Sequence, residues 1–172
     1  MKDMELLKYI TEWIKGEVFQ GKVMIAIGVM LLIGGIMILK NGNELLSGTT
    51  IPLAFILLIF FGYGGFMAFG RPAHLDKVTV AINTNEADTI KMEAEKAQKD
   101  HRMYSILKII WSILIVVAVG LYFIFTKDYY KGLAIGLIAL FFATLVVDTV
   151  LHHRLKIYQQ GISTINMSMN SK

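Results

Sequence analysis

The chain has no cysteine, two prolines and four histidines in 172 residues, and only 17% of those residues are charged. Without cysteine there can be no disulfide, no thiolate nucleophile and no thiolate metal site. Four histidines, with no H-E-x-x-H or similar spacing, are too few for the histidine-rich centres of membrane di-iron oxygenases. There is no G-x-S-x-G elbow, no phosphate-binding glycine loop and no pair of carboxylates spaced as acid and base. These absences argue against catalysis, and no cofactor or resident metal is expected. The charge deficit argues against a soluble domain, in which about a quarter of residues are charged.

What the chain has instead is long apolar runs. Hydrophobic residues make up 55% of it, gathered mainly in Val23–Leu39, Ile51–Phe69, Ile109–Thr126 and Gly132–Leu151. A helix rises about 1.5 Å per residue, so roughly 20 apolar residues cross a hydrocarbon core of about 30 Å. Each run is long enough to serve as a membrane span.

The expected fold is therefore an all-α integral membrane protein, a four-transmembrane-helix bundle. Residues 1–21 read as an amphipathic interfacial helix and 22–70 as a first transmembrane hairpin. Residues 71–103 read as a cytoplasmic helical segment, 104–151 as a second hairpin and 152–172 as a cytoplasmic tail. Fourteen of the seventeen lysines and arginines fall before span one, between spans two and three, or after span four. The positive-inside rule then places both termini in the cytoplasm, with the inner or plasma membrane as the location if the chain is bacterial. The net charge of +4 is scattered, which suits lipid contact and orientation and gives no nucleic-acid footprint.

Local signals refine this layout. Leu6, Ile10, Trp13 and Ile14 recur at helical spacing opposite charged residues, which predicts a helix lying on the cytoplasmic leaflet with Trp13 at headgroup depth. Packing of that face on the protein's own cytoplasmic part is the alternative. Glu5, Glu12 and Glu17 lie among the early lysines, and no A-x-A-like site follows span one, so no cleavable signal peptide is expected. Thr49-Thr50-Ile51-Pro52 is placed to cap the start of span two, and Gly70-Arg71-Pro72 to kink its exit. Asn85, followed by Glu86 and Asp88, is placed to cap a helix of about 40 residues ending near Thr126. Ile90, Ala94, Ala97, His101 and Tyr104 follow the 4-3-4-3 spacing of a helix seam, for the chain's own segments or for a partner helix. From Gly161 to Lys172 the mix of Ser, Asn and Met suggests loose structure.

The two halves also resemble each other. Lys22-Val23-Met24 aligns with Lys108-Ile109-Ile110, Gly34 with Gly120, and His74-Leu75-Asp76-Lys77 with His153-Arg154-Leu155-Lys156. A true duplication predicts two parallel hairpin repeats, with His74 and His153 at equivalent corners of a pseudo-twofold bundle.

Two kinds of residue then stand out. Gly28, Gly34, Gly35, Gly62, Gly64, Gly65, Ala68, Gly132 and Gly136 offer small surfaces for close helix packing in a membrane, or for lining a narrow pore. Asp148, the one acidic residue inside a span, lies one turn from His152 and His153. Together with His74 and Tyr63 these are the binding or transport candidates, because an ionisable group in a membrane suggests function. A metal site at the cytoplasmic mouth would need His74, Asp76, Asp148, His152 and His153 to converge. The Gly62-Tyr63-Gly64-Gly65 stretch would serve transport if it broke the helix locally.

The leading functional expectation is a non-enzymatic membrane protein acting through helix–helix contacts. Such a protein would be an accessory or assembly subunit of a complex, or an immunity-type protein that blocks a membrane toxin. Four-span immunity proteins against pore-forming bacteriocins share this layout as architecture alone, without any residue motif in common. A small oligomeric channel or transporter is the alternative, and a cytoplasmic-face metal-dependent lipid enzyme is a distant third. Expected partners are membrane lipid and either further copies of the chain or another membrane protein.

Overall fold

The computed structural model describes the backbone of residues 2–170 and the side chains of residues 5–40 and 42–165. Among these the protein is all-helical, without a strand. Helix α1 runs from Lys2 to Asn41, α2 from Glu44 to Gly48 and α3 from Thr50 to Leu58. Two wide π-helical turns, Ile59–Tyr63 and Phe66–Gly70, carry span two on to α4, Arg71–Thr84. Helix α5 is Glu86–Ile124 and α6 is Asp128–Asn170. Four of these helical stretches are long and apolar enough to cross a membrane.

Sequence explains most of the boundaries. Gly42 ends α1 with φ 66°, a left-handed conformation that favours glycine. Asn43 then caps α2, its Oδ1 accepting from the Leu45 and Leu46 N–H groups at 2.9 and 3.2 Å. That short helix was not expected. It displaces the capping role foreseen for Thr49, whose hydroxyl donates to the Leu46 carbonyl at 2.7 Å instead of capping α3. Asn85 caps α5 as its sequence context predicts, accepting from the Asp88 N–H at 3.3 Å. At 39 residues α5 has the expected length.

The connections at Gly42-Asn43 and at 125–127 lie at one end, here called the loop end. The termini and the α4–α5 turn lie at the other, the terminal end. Helix α6 is the centre of the fold, packing on α1, α2, α3 and α5. Helix α5 follows α6 and makes its other substantial contact with α4. Only 6% of the most apolar window of α5 is buried inside the protein, against 17–22% for the other three spans. The bundle is thus three packed spans with α5 flanking α6, and the pseudo-twofold arrangement is not seen. Nor are the surroundings of the two histidines equivalent: His74 is half-buried and bonded, whereas His153 is exposed.

At the terminal end a hydrophobic core forms from Leu6, Ile10, Trp13 and Ile14 of α1, Val78 and Ile82 of α4, Ile90 and Ala97 of α5, and Leu155, Tyr158, Ile162 and Ile165 of α6. Full burial of an aliphatic side chain is worth about 1.5–3 kcal/mol, so this cluster is a principal source of stability outside the spans. It bears on three expectations. The apolar face of the first residues is covered by protein and does not lie on a leaflet, because α1 runs unbroken into span one. The seam on α5 packs against the chain's own segments, the first of its two readings, with Ile90 fully buried and Ala97 nearly so. The segment after Gly161 is helical through Asn170, because Ile162 and Ile165 dock on the cluster; Ser171 and Lys172 lie outside the described residues.

Candidate functional site

Close approach of helices depends on some of the glycines and not on others. A Cβ at Gly132 would collide with the Leu45 carbonyl, one at Gly136 would lie 2.8 Å from the Pro52 ring, and one at Gly35 2.8 Å from Leu53. A Cβ at Gly64 would lie 3.0 Å from the Met24 Cβ, Gly28 packs on Phe61, and Ala68 is buried. These six small residues therefore sit at helix contacts. Gly34, Gly62 and Gly65 face open space. Four contact glycines escape sequence reading: Gly16, against the Arg154 side chain, Gly21, against the Gly64 carbonyl and the Ala68 N–H, Gly48, against the Tyr129 carbonyl, and Gly161, against the Tyr9 ring. Only their place opposite another helix distinguishes them from any other glycine.

The polar side chains gather toward the terminal end of the spans and beyond it. Glu17 of α1, 1% exposed, pairs with Arg71 of α4, with Nε 2.6 Å from Oε2 and Nη2 donating to Oε1 at 3.5 Å. The Arg71 guanidinium lies over the rings of Trp13 (5.1 Å) and Phe66 (5.6 Å). Burial pushes the Glu17 carboxyl above its ordinary range, and the Arg71 charge opposes this without cancelling it.

Glu93 of α5 is the hub of a second group. Tyr158 donates to its Oε2 at 2.9 Å, while His74 Nε2 lies 3.5 Å and Lys96 Nζ 3.8 Å from its Oε1. Lys96 Nζ also sits 3.0 Å from the same His74 Nε2. Trp13 stacks on Tyr158 at 4.6 Å and meets His74 edge-on at 6.3 Å. Burial pushes the Glu93 carboxyl up, but the hydrogen bonds from His74 and Tyr158 and the charge of Lys96 outweigh it, so its pKa falls below the ordinary value. The Tyr158 phenol is pushed well up by burial and by the Glu93 charge.

The third group is the pair His101 and His152, with ring nitrogens 2.8 Å apart. At that distance one nitrogen donates and the other accepts, so both rings cannot be fully protonated while the bond holds. Tyr104 stacks on His152 at 6.0 Å and shares a 3.3 Å hydroxyl contact with Tyr63. Asp148 lies apart from these groups, accepting from Trp111 Nε1–H at 2.7 Å.

The candidate residues are thus spread over separate neighbourhoods. Asp148 is held by Trp111 rather than by Arg154, Lys156 or His152, because α5 lies directly alongside α6 at that level. His74, Asp76, Asp148, His152 and His153 do not converge, and no group of three metal-ligating side chains forms among the described residues. Gly62-Tyr63-Gly64-Gly65 does not break span two; the backbone widens into π turns and stays helical. Tyr63 meets Tyr104 from this stretch. Arg71, Glu93, Lys96, His101 and Tyr158 were not foreseen as site residues. An acid three residues before a lysine reads as a solvated helix face, and burial of Glu93 depends on a helix 65 residues away. Most of these groups satisfy one another, and none places a nucleophile beside a base over an open cavity. No known family, curated protein or solved structure matches this chain.

Proposed function

We propose that this chain is a non-enzymatic membrane protein acting through helix–helix contacts, as an accessory or assembly subunit or an immunity-type protein, with both termini in the cytoplasm. The observation that carries this reading is the bare apolar face of α5, whose spanning half is almost unburied. Ile109, Ile113, Val116 and Phe123 project from it. Gly62 and Gly65 on span two, with no side chain opposite, leave a second place where another helix can approach closely. Association in a membrane is driven by such packing surfaces, since lipid tails are as apolar as leucine.

Transport has less support. Tyr63, Asp148 and His152 are each bonded to another side chain of the protein, and the Ile109–Ile124 part of α5 contributes only Trp111, Ser112 and Tyr122 as hydrogen-bonding side chains. A conducting path needs polar groups through the midplane.

Gentle extraction of the C-terminally tagged protein, followed by mass determination of whatever co-purifies, tests the reading. A different membrane protein present in fixed stoichiometry is the expected result. A homo-oligomer with no partner would shift the reading to a channel.

A further inference from the structure

We infer that the protein holds one anionic glycerophospholipid, with an acyl chain in the groove between α1 and α6 and its phosphodiester at Arg154. The inference needs the spans to lie in a bilayer but does not depend on the proposed protein partner.

The groove has a volume of about 460 Å³. Its walls include Phe19, Val23 and Ile27 of α1 and Ala143 and Val150 of α6, and Arg154 stands at its terminal end. From Ala143 to Arg154 is eleven helical steps, or about 16 Å at 1.5 Å per residue, close to half of a hydrocarbon core of about 30 Å. The groove therefore has the depth of one leaflet, and Arg154 lies just past the end of span four, where headgroups sit. Dividing the volume by that length gives a cross-section of about 30 Å², which suits a single extended acyl chain.

Two polar groups on this groove lack partners. Arg154 Nη1 is buried with no acceptor, lying against α1 at a position that requires glycine: a Cβ at Gly16 would be 2.6 Å from it. Gln20 is only 8% exposed and lines the same groove; its amide donates to the Val147 carbonyl at 3.4 Å, while its Oε1 receives no hydrogen bond. A buried guanidinium nitrogen without an acceptor is costly, and a phosphodiester oxygen supplies a charge-assisted one to this half-buried side chain. Nearby acids do not take that place. Glu17 is committed to Arg71, and Glu12 lines a separate small cavity on the other side of Arg154 without an ion pair to it among the described residues. Exposed Lys15 and Lys22 line a separate cavity on the α4 side of α1 that shares Phe19 with the groove, and they add positive charge at this level of α1.

The test is native mass spectrometry of delipidated protein titrated with phosphatidylglycerol or phosphatidylcholine of the same chain length. One phosphatidylglycerol per chain should be retained in preference to phosphatidylcholine. Arg154→Gln should weaken that retention by about tenfold or more, the loss of one charge-assisted contact. Arg154→Lys should retain part of the preference, and Ala143→Trp, which fills the groove, should abolish binding of both lipids. Helicity by circular dichroism identifies any variant that fails to fold. A phosphatidylglycerol with a diazirine at mid-chain then tests the wild-type chain alone, and should label residues 19–27 and 142–150. Equal retention of the two lipids, displacement of bound lipid by inorganic phosphate, or labelling spread evenly over all four spans would each overturn the assignment.

Discussion

Tyr158 of α6 donates its phenolic proton to the buried carboxylate of Glu93 on α5 at 2.9 Å, while its ring stacks on Trp13 of α1 at 4.6 Å. One side chain thereby links three helices at the terminal end. Removing the hydroxyl leaves a charged acceptor short of a donor, so Tyr158→Phe should destabilise the protein by about 1–3 kcal/mol. Thermal unfolding in detergent, followed by circular dichroism at 222 nm, measures this. Trp13→Ala should cost more, about 3–5 kcal/mol, because it also opens a cavity in the same cluster.

The Glu93 carboxylate gives a pH dependence of definite sign. Its pKa in the folded protein is below the ordinary value of 4.5. It therefore contributes stability that is present above pH 4.5 and is lost as the pH falls through the lower folded value. The stability gap between the native protein and Glu93→Gln should shrink as the pH is lowered below about 4.5. Glu17 has the opposite sign, because its pKa is raised. Its contribution is fully present below 4.5 and declines as the pH rises through its higher folded value. Unfolding curves from pH 3 to pH 7 for the two glutamine variants separate the effects.

Glycines at contacts and glycines in the open should respond differently to the same change. Gly132→Ala drives a methyl into the Leu45 carbonyl and must push α2 from α6, at a cost of about 1–3 kcal/mol. Gly34→Ala meets nothing, and its effect should stay within about 0.5 kcal/mol. Melting temperatures of the two variants, measured in the same detergent, provide the comparison.

Asp148 should prove to be an anchor for Trp111. Asp148→Asn keeps an oxygen acceptor for the indole N–H and should leave stability within about 0.5 kcal/mol of the native protein. Asp148→Leu strands the indole and should cost about 1–3 kcal/mol. Indole fluorescence should shift for the leucine variant and not for the asparagine variant.

How legible the fold was in the sequence depended on the range of the interaction involved. The four spans follow from apolar run length, and the Asn85 cap from three residues in a row. The path of the N-terminal segment did not follow. Leu6, Ile10, Trp13 and Ile14 form the same stripe whether they face lipid or protein, and only the presence of Val78, Leu155 and Ile162 opposite decides between them. The C-terminal segment was misread for the same reason, since its few apolar residues, Ile162 and Ile165, suffice once α1 and α5 offer a cleft. The polar site was the least legible. Glu93 and Arg71 look like surface charges, and their burial depends on partners dozens of residues away.

The most direct measurement of the proposed role is the mass of the gently extracted complex formed by the native chain and by the double variant Gly62→Leu, Gly65→Leu. Both glycines face open space, so the variant should fold as the native chain does while presenting bulk where a partner helix would pack. The expected result is a stoichiometric complex with another membrane protein for the native chain and its loss for the variant, with unchanged helicity. A native chain that runs alone or only with copies of itself, or a partner complex that survives both substitutions, would contradict the role assigned to these helix faces.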